Sequence, residues 1–151
     1  KIAHLSPERA REQLTCDRPI DIRPVNPVNP LAPEKMEPLK YNWLRAVREV
    51  PNETRWQQCL LAYSSDFGLL GASLYPHGVT FYQRDIQAAS LDHAMWFHRP
   101  FDISSWLLYA MDSPSASRAR GLSRGLIYDQ SGRLVASTAQ EGLIRMRPDR
   151  L

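Results

Sequence analysis

One segment with helical spacing, followed only by strand-like segments, constrains the fold of this chain more than any other feature. Across residues 56–74, apolar side chains recur every three or four positions, which predicts one long amphipathic helix. Thr54 and Gln57 have the spacing of a capping box at its start. Gly68 and Gly71 each cost roughly 1 kcal/mol relative to alanine inside a helix, which favours an early end.

The segments before and after this helix have the composition and the turn residues of β-strands. Residues 129–132, Asp-Gln-Ser-Gly, are predicted to form a hairpin turn between the last two strands. One helix beside a run of antiparallel strands predicts an α+β domain, in which a sheet curls round the helix. The predicted strands cover residues 39–48, 86–98, 105–113, 117–128 and 133–146.

The N-terminal third differs from the rest in its density of prolines. Because closely spaced prolines are incompatible with a long helix or a central strand, residues 24–38 are predicted to cross a surface as an extended linker. Before the linker, Ser6 and Pro7 are an N-cap residue and a first-turn proline. They predict a short helix over residues 7–14.

Composition places the chain among ordinary globular proteins, with 43% apolar and 23% charged residues. Its 151 residues suit one main domain, which we place at residues 39–151 behind an N-terminal helix and linker over residues 1–38. No apolar run approaches the ~18 residues of a membrane span. A net charge of +3 without a concentrated basic stripe argues against nucleic-acid binding. Cys16 and Cys59 form neither a disulfide framework nor a metal knuckle.

A G-x-S-x-G motif at residues 121–125 matches the nucleophile elbow of serine hydrolases, but its surroundings do not. That elbow needs a helix after the serine and a histidine further along the chain. Here a predicted strand follows Ser123, and all four histidines precede it. We therefore expect Ser123 to be an exposed strand serine.

His93 and His98, five residues apart on a predicted strand, face opposite sides and are not expected to share a metal ion.

Asp66 is the residue that the helical pattern marks as unusual. Its same-face neighbours include Ala62, Tyr63 and Leu70, and the carboxylate is therefore expected to point towards the apolar side. An unpaired carboxylate in that position is costly. The pattern fits a functional acid in a cleft and a structural aspartate equally well, the latter bonded to a strand hydroxyl or lying at a frayed helix end near Gly68.

Ser90 and Gln140 are weaker candidates when each is taken alone. Ser90 shares a predicted strand face with small residues, which leaves room beside its hydroxyl, and Gln140 places an amide among inward-facing residues. Most buried polar groups are simply hydrogen-bonded. On this evidence a structural role is the better interpretation for each.

Three stretches of the sequence together resemble the acyl-CoA thioesterase II family. Residues 90–101, S-L-D-H-A-M-W-F-H-R-P-F, are similar to a long strand signature of that family. Residues 115–121, S-A-S-R-A-R-G, and residues 137–142, S-T-A-Q-E-G, are similar to two later family segments. Residues 62–66 and 74–78 also match in kind and order, and the resemblance runs over essentially the whole chain.

The resemblance implies a hotdog fold, in which a long central helix is wrapped by a curved antiparallel sheet. It implies hydrolysis of fatty acyl-CoA to a free fatty acid and CoA, by a water activated by Asp66, Ser90 and Gln140. Family members carry two hotdog units, and this chain resembles the second. A second hotdog unit, in the same or another chain, and a homo-oligomer are therefore expected partners. No metal and no organic cofactor is implied.

Contacts to the substrate are less sharply predicted. CoA carries several negative charges, and Arg118, Arg120 and Arg124 share one predicted strand face that could bind them, or else form a solvated basic edge. The aromatic stretch 95–97 is a candidate lining for the acyl chain or plain core. The ending Asp-Arg-Leu at residues 149–151 departs from the S-K-L peroxisomal signal, which favours a cytoplasmic location.

Two other functions stay open at this point. One is a non-catalytic hotdog module that binds acyl-CoA or serves for dimerisation, against which the complete set of Asp66, Ser90 and Gln140 argues. The other is a different hotdog enzyme such as an enoyl-CoA hydratase. That reaction needs an acid–base pair of the Asp/His type, and the predicted helix contains no histidine.

Overall fold

A computed structural model describes residues 17–83 and 85–147 of the chain, so the short helix predicted over residues 7–14 lies outside the described residues. Within these described residues, one α-helix, one 3₁₀ helix and seven strands follow each other. In order these are β1 (Ile20–Pro24), β2 (Leu39–Ala46), α1 (Thr54–Ser65), the 3₁₀ helix (Leu70–His77), β3 (Ile86–Ser90), β4 (Ala94–Phe97), β5 (Leu107–Ser117), β6 (Arg120–Tyr128) and β7 (Leu134–Met146).

All seven strands belong to one antiparallel sheet, which curls strongly around α1. The strand order is β1-β2-β5-β6-β7-β3, and β4 also pairs with β7. The predicted α+β arrangement, one helix wrapped by a curved antiparallel sheet, is confirmed. β1 was not predicted. It pairs with β2 although it lies in the proline-rich segment, and the division of the chain at residue 38 stays a prediction.

The two faces of the sheet differ in burial, as strand alternation requires. The inner face packs on α1 and contributes Leu44, Tyr109, Ile127 and Ala136 to a core that also contains Leu61 of the helix. On β6 every second residue is buried and those between are exposed. The outer face of β6 and its neighbours therefore keeps large apolar side chains in contact with solvent.

The helix ends much earlier than residue 74, because the chain leaves α-helical geometry after Ser65. Gly68 adopts a φ of +83°, a left-handed conformation that glycine tolerates best. The Lys40 ammonium lies against this turn and donates a hydrogen bond to the Gly68 carbonyl at 3.1 Å. A Cβ atom on Gly68 would come within 2.5 Å of the Lys40 nitrogen. The glycines at 68 and 71 thus admit a lysine from β2, besides weakening the helix.

The predicted capping box at the start of the helix is wrong. Glu53 occupies the N-cap position without a side-chain cap, and Thr54 is already helical. The Gln57 side chain instead forms hydrogen bonds with backbone groups that lie outside the helix. Its amide nitrogen donates to the Pro51 carbonyl at 3.1 Å, and its oxygen accepts from the Ile103 amide at 2.8 Å. Gln57 therefore ties the helix start to the loop before β5.

Two hairpins are built differently. The predicted turn at 129–132 is confirmed: Gly132 has a φ of +79°, and the Asp129 carboxylate accepts from the backbone amides of Ser131 and Arg133, each at 3.0 Å. Between β5 and β6, however, Arg118 is not on a strand face. It shares a tight turn with Ala119, and both have positive φ.

Candidate active site

Asp66 lies immediately after the last residue of α1, where it forms the C-cap of the helix. The expected setting of Asp66 within a helix face is wrong, because the helix ends before this residue and leaves it exposed. The backbone amide of Asp66 still donates to the Ser64 carbonyl, which fixes the start of its side chain. A carboxylate at this end of a helix gains nothing from the helix dipole, whose negative end lies there. Hydrogen-bond donors on other elements can offset this unfavourable position.

Gln140 and Ser90 supply these donors. The Gln140 Nε2 atom donates to Asp66 Oδ1 at 2.7 Å, and the Ser90 Oγ atom donates to the same oxygen at 3.4 Å. Ser90 ends β3 and pairs with Gly142 on β7, two residues beyond Gln140, which puts both side chains on the same face. The structure therefore brings together the three residues singled out from the sequence, although they lie up to 74 positions apart.

The three residues differ in their exposure to solvent. Gln140 is 1% exposed, whereas Asp66 and Ser90 are both exposed. Among the described residues, the Gln140 Oε1 atom has no hydrogen-bond partner, and neither has the hydroxyl of Ser123, which lies directly opposite Gln140 on β6. Ser123 is fully buried, so its expected exposure is wrong. Because β6 alternates strictly, Ser123 faces inward between two glycines, Gly121 and Gly125, at which other side chains occupy the space of a Cβ atom.

A second set of hydrogen bonds connects the end of α1 with the inner face of the sheet. The hydroxyl of Tyr109 on β5 donates to the Ser65 carbonyl at 2.8 Å and shares a hydrogen bond with Thr138 Oγ1 on β7, also at 2.8 Å. Tyr109 is 1% exposed, and its burial raises the pKa of the phenol above the ordinary value. The neutral hydroxyl therefore persists at every pH at which the protein is expected to work. It connects α1, β5 and β7 one residue before Asp66.

The two histidines of the 90–101 motif have separate partners. His93 Nε2 lies 2.8 Å from Ser65 Oγ, and His98 Nε2 lies 2.8 Å from Ser137 Oγ. In the part of the chain that the structure describes, no three His, Cys, Asp or Glu side chains lie together in a way that could hold a metal ion. His93 thus contacts the residue that precedes Asp66, a contact that sequence reasoning missed.

The three arginines do not reach the Asp66 carboxylate within this chain. Arg120 pairs with Glu141 at 3.3 Å, and Arg124 pairs with Asp112, with its Nε atom 3.0 Å from a carboxylate oxygen. Both project from exposed positions of β6, opposite to the inner face that carries Gln140. Arg118 is exposed in the preceding turn. Their assignment to CoA stays a prediction.

The candidate acyl-chain lining is divided between two faces. Met95 packs against the core, whereas Trp96 is 52% exposed and pairs with Ser137 on the outer face. Phe97 stacks on Phe101 with 6.4 Å between ring centroids. These side chains therefore do not line one continuous surface in this chain.

No helix within the described ranges is both long and apolar enough to cross a bilayer.

Solved structures identify the architecture. A protein from Alicyclobacillus acidocaldarius, described as having a hotdog fold, superposes with a TM-score of 0.63 over 84% of this chain and 46% of that one, at 17% identity. The acyl-CoA thioesterase II TesB2 from Mycobacterium marinum superposes with a TM-score of 0.73 at 39% identity, over 86% of this chain and 51% of that one. The chain is thus a hotdog-fold protein, as the resemblance implied.

Sequence comparison narrows the class to a family. A family model for acyl-CoA thioesterase matches residues 9–143. Acyl-CoA thioesterase 2 from Haemophilus influenzae is 42% identical over 145 residues, which cover 96% of this chain and 51% of that protein. The chain belongs to the acyl-CoA thioesterase family. It spans about half the length of the curated relatives it matches, and the half that it matches is the C-terminal one.

Proposed function

We propose that this chain forms the catalytic half of an acyl-CoA thioesterase, with Asp66, Ser90 and Gln140 as its catalytic residues. The substrate is a fatty acyl-CoA, and the products are a free fatty acid and CoA. The observation that carries the proposal is the convergence of a hydroxyl and an amide on one oxygen of an exposed carboxylate, at 3.4 and 2.7 Å. Membership of the thioesterase family supports the choice of substrate.

Asp66 acts as general base in this proposal. Both hydrogen bonds end on Oδ1, and within the described residues no donor is bound to Oδ2. Oδ2 can therefore take a proton from a water molecule while Oδ1 stays anchored. The water oxygen attacks the carbonyl carbon of the thioester, and its proton passes to Asp66. Collapse of the tetrahedral intermediate breaks the carbon–sulfur bond, and CoA leaves as a thiolate that takes up the proton held by Asp66, which restores the carboxylate.

Ser90 and Gln140 orient the reactants. A serine hydroxyl that donates its one proton to Asp66 can still accept a hydrogen bond from the attacking water. The Gln140 amide has a second N–H, which can donate to the carbonyl oxygen as negative charge develops on it. Ser90 is not proposed as a covalent nucleophile, because its hydrogen-bond partner in the structure is a carboxylate and not a histidine.

The rest of the substrate site requires more than this chain. Asp66 and Ser90 are exposed, whereas thioester chemistry gains from a site that excludes water. We propose that a second hotdog unit covers them, in the same polypeptide or in another copy. Arg118, Arg120 and Arg124 are the proposed contacts to the phosphates of CoA, with no cofactor needed. A cytoplasmic location is part of the same proposal.

Thiol release from palmitoyl-CoA and from shorter acyl-CoAs tests the function. Parallel assays measure hydration of an enoyl-CoA and binding of the substrate without turnover. Release without hydration is the expected result. Binding without release would refute hydrolysis and favour a binding module, and hydration would favour the other hotdog enzyme class.

A serine pair tests the role of Ser90. Ser90→Ala is expected to lower kcat by roughly 10²-fold, because the water loses one of its orienting contacts. Ser115→Ala, at an exposed position of β5, is the matched control and should retain full activity. Intact-mass spectrometry during turnover should find no acyl group on the protein. An acylated Ser90 would contradict direct attack by water.

A further inference from the structure

The strand predicted over residues 86–98 is interrupted at residues 91–93 by a β-bulge. Ser90 pairs with Gly142 and Ala94 pairs with Ala139, so three residues of this segment oppose only two residues of β7. The amides of Leu91 and Asp92 both donate to the Glu141 carbonyl, at 2.9 and 3.4 Å. A bulge of this kind redirects the side chains that follow it, and bulges are frequent beside active sites.

The two polar side chains of the bulge bind two different elements. The Asp92 Oδ1 atom accepts a hydrogen bond from the Glu141 backbone amide at 2.7 Å. His93 reaches across to the end of α1, where its Nε2 atom lies 2.8 Å from Ser65 Oγ. The Ser65 hydroxyl donates its one proton to the Ala62 carbonyl at 2.8 Å. His93 is therefore the donor, with a proton on Nε2.

The contacts of the bulge all fall one residue away from a proposed catalytic residue. Glu141 follows Gln140, Ser65 precedes Asp66, and Leu91 follows Ser90. The bulge thus connects β7 with the end of α1, on either side of Gln140 and Asp66. We propose that Asp92 and His93 are positioning residues that hold Asp66, Ser90 and Gln140 at their working distances. This inference rests on the proposed function for its consequence in catalysis.

Loss of the imidazole should therefore slow the chemical step more than it weakens substrate binding. A displacement of about 1 Å in a catalytic group can cost roughly 10²-fold in rate. His93→Ala is expected to lower kcat by about 10- to 100-fold, with KM changed less than about threefold. In His93→Gln, the amide Nε2 can donate to Ser65 in place of the ring nitrogen, and most of kcat should return.

The partner of His93 provides a double-mutant cycle. Ser65→Ala should lower kcat by a similar factor, and the double variant should be no slower than either single one, because both changes remove the same hydrogen bond. His98→Ala is the matched control: His98 has the same 2.8 Å hydrogen bond to a serine, but its partner Ser137 is not adjacent to a proposed catalytic residue. Its kcat should equal that of the parent.

A measurement without turnover separates this inference from the proposed function. In ¹⁵N-resolved NMR spectra, the side-chain amide of Gln140, assigned by its loss in Gln140→Leu, reports its hydrogen bond to Asp66. In His93→Ala we expect this signal to shift towards the position of a free amide, and in His98→Ala to stay in place. A parent chain that releases no thiol would refute the proposed function while this spectrum still decides the role of His93.

Three results would overturn the inference. One is an unchanged Gln140 amide signal in His93→Ala. Another is a kcat of His93→Ala that equals the parent value while only the unfolding temperature falls, which would make His93 merely structural. The third is a His93→Gln variant as slow as His93→Ala.

Discussion

Replacement of Tyr109 by phenylalanine is the sharpest test of how the end of α1 is held. The change removes one oxygen atom and leaves the ring, whose surroundings are fully buried. Two groups lose a partner: the Ser65 carbonyl and the Thr138 hydroxyl, each 2.8 Å from the tyrosine oxygen. Thr138 Oγ1 retains a long contact of 3.5 Å to the Gly125 carbonyl. The Ser65 carbonyl is left with the greater deficit.

The magnitude follows from the number of groups left unpaired. A buried polar group without a partner costs about 1–3 kcal/mol, and the carbonyl of Ser65 is the principal one here. We therefore expect Tyr109→Phe to lower the free energy of unfolding by about 1–3 kcal/mol. For a chain of this size the midpoint of thermal unfolding should fall by about 2–4 °C per kcal/mol. Urea unfolding monitored by circular dichroism measures the free energy directly, provided that the m-value is unchanged.

Tyr41→Phe is the matched control for this experiment. Tyr41 lies on the opposite face of the sheet, is half-buried and has no side-chain hydrogen bond within the described residues. Its loss of a hydroxyl should change stability by less than about 0.5 kcal/mol. Equal stability of Tyr109→Phe and the parent would show that the Tyr109 hydroxyl does not hold the end of α1. So would an equal loss in both variants, since that would show a general effect of hydroxyl removal.

Three further predictions concern packing and pH. Gly125→Ala should destabilise the protein by at least about 1–3 kcal/mol in urea unfolding, because a Cβ atom there would overlap the Tyr109 ring. A stability equal to that of the parent would contradict this close packing of Gly125 against Tyr109. Burial lowers the pKa of Lys40 from 10.5 to about 8, so the unfolded chain holds more protons than the folded one above pH 8. The free energy of unfolding should therefore rise between about pH 8 and 10, by at most about 3 kcal/mol, and Lys40→Met should abolish this increase. Above pH 10 the raised pKa of Tyr109 acts in the opposite direction, since only the unfolded phenol then loses its proton. Hydrogen bonds, above all the one from the Ser131 hydroxyl, lower the pKa of Asp129 to about 2. The stability that Asp129 contributes above pH 3.8 should therefore be lost as the pH falls towards 2. Asp129→Asn should weaken this loss of stability in acid, and an unchanged pH dependence would refute the assignment.

Local patterns in the sequence predicted most of the elements correctly. The strand before the helix, the three strands that follow β4 and the hairpin at residues 129–132 come from alternation and turn chemistry that act between near neighbours. The features that were missed depend on distant contacts. The helix ends early because a lysine from β2 enters beside Gly68, 28 residues away. β1 was hidden by Pro19 and Pro24, which here lie just before it and at its last residue, where a missing N–H costs least.

The candidate site shows the same division. Asp66 stood out because a carboxylate interrupted an apolar helix face, but the helix stops one residue earlier, and Asp66 is its C-cap. Its relation to Ser90 and Gln140 came from the family resemblance and not from spacing. Neither Tyr109 nor His93 could be connected with Asp66 from the sequence, because strand pairing alone brings β5 and the bulge to the end of α1. Alternation along β6 would have placed Ser123 inward between its two glycines.

The most direct test of the proposed mechanism is the rate of thiol release by Asp66→Asn under saturating acyl-CoA. Asparagine preserves the shape of the side chain and keeps one oxygen that can accept from Gln140, but it cannot take a proton from water. We expect kcat to fall by about 10²- to 10⁴-fold, with the unfolding temperature close to that of the parent. A kcat equal to that of the parent would contradict the assignment of Asp66 as general base.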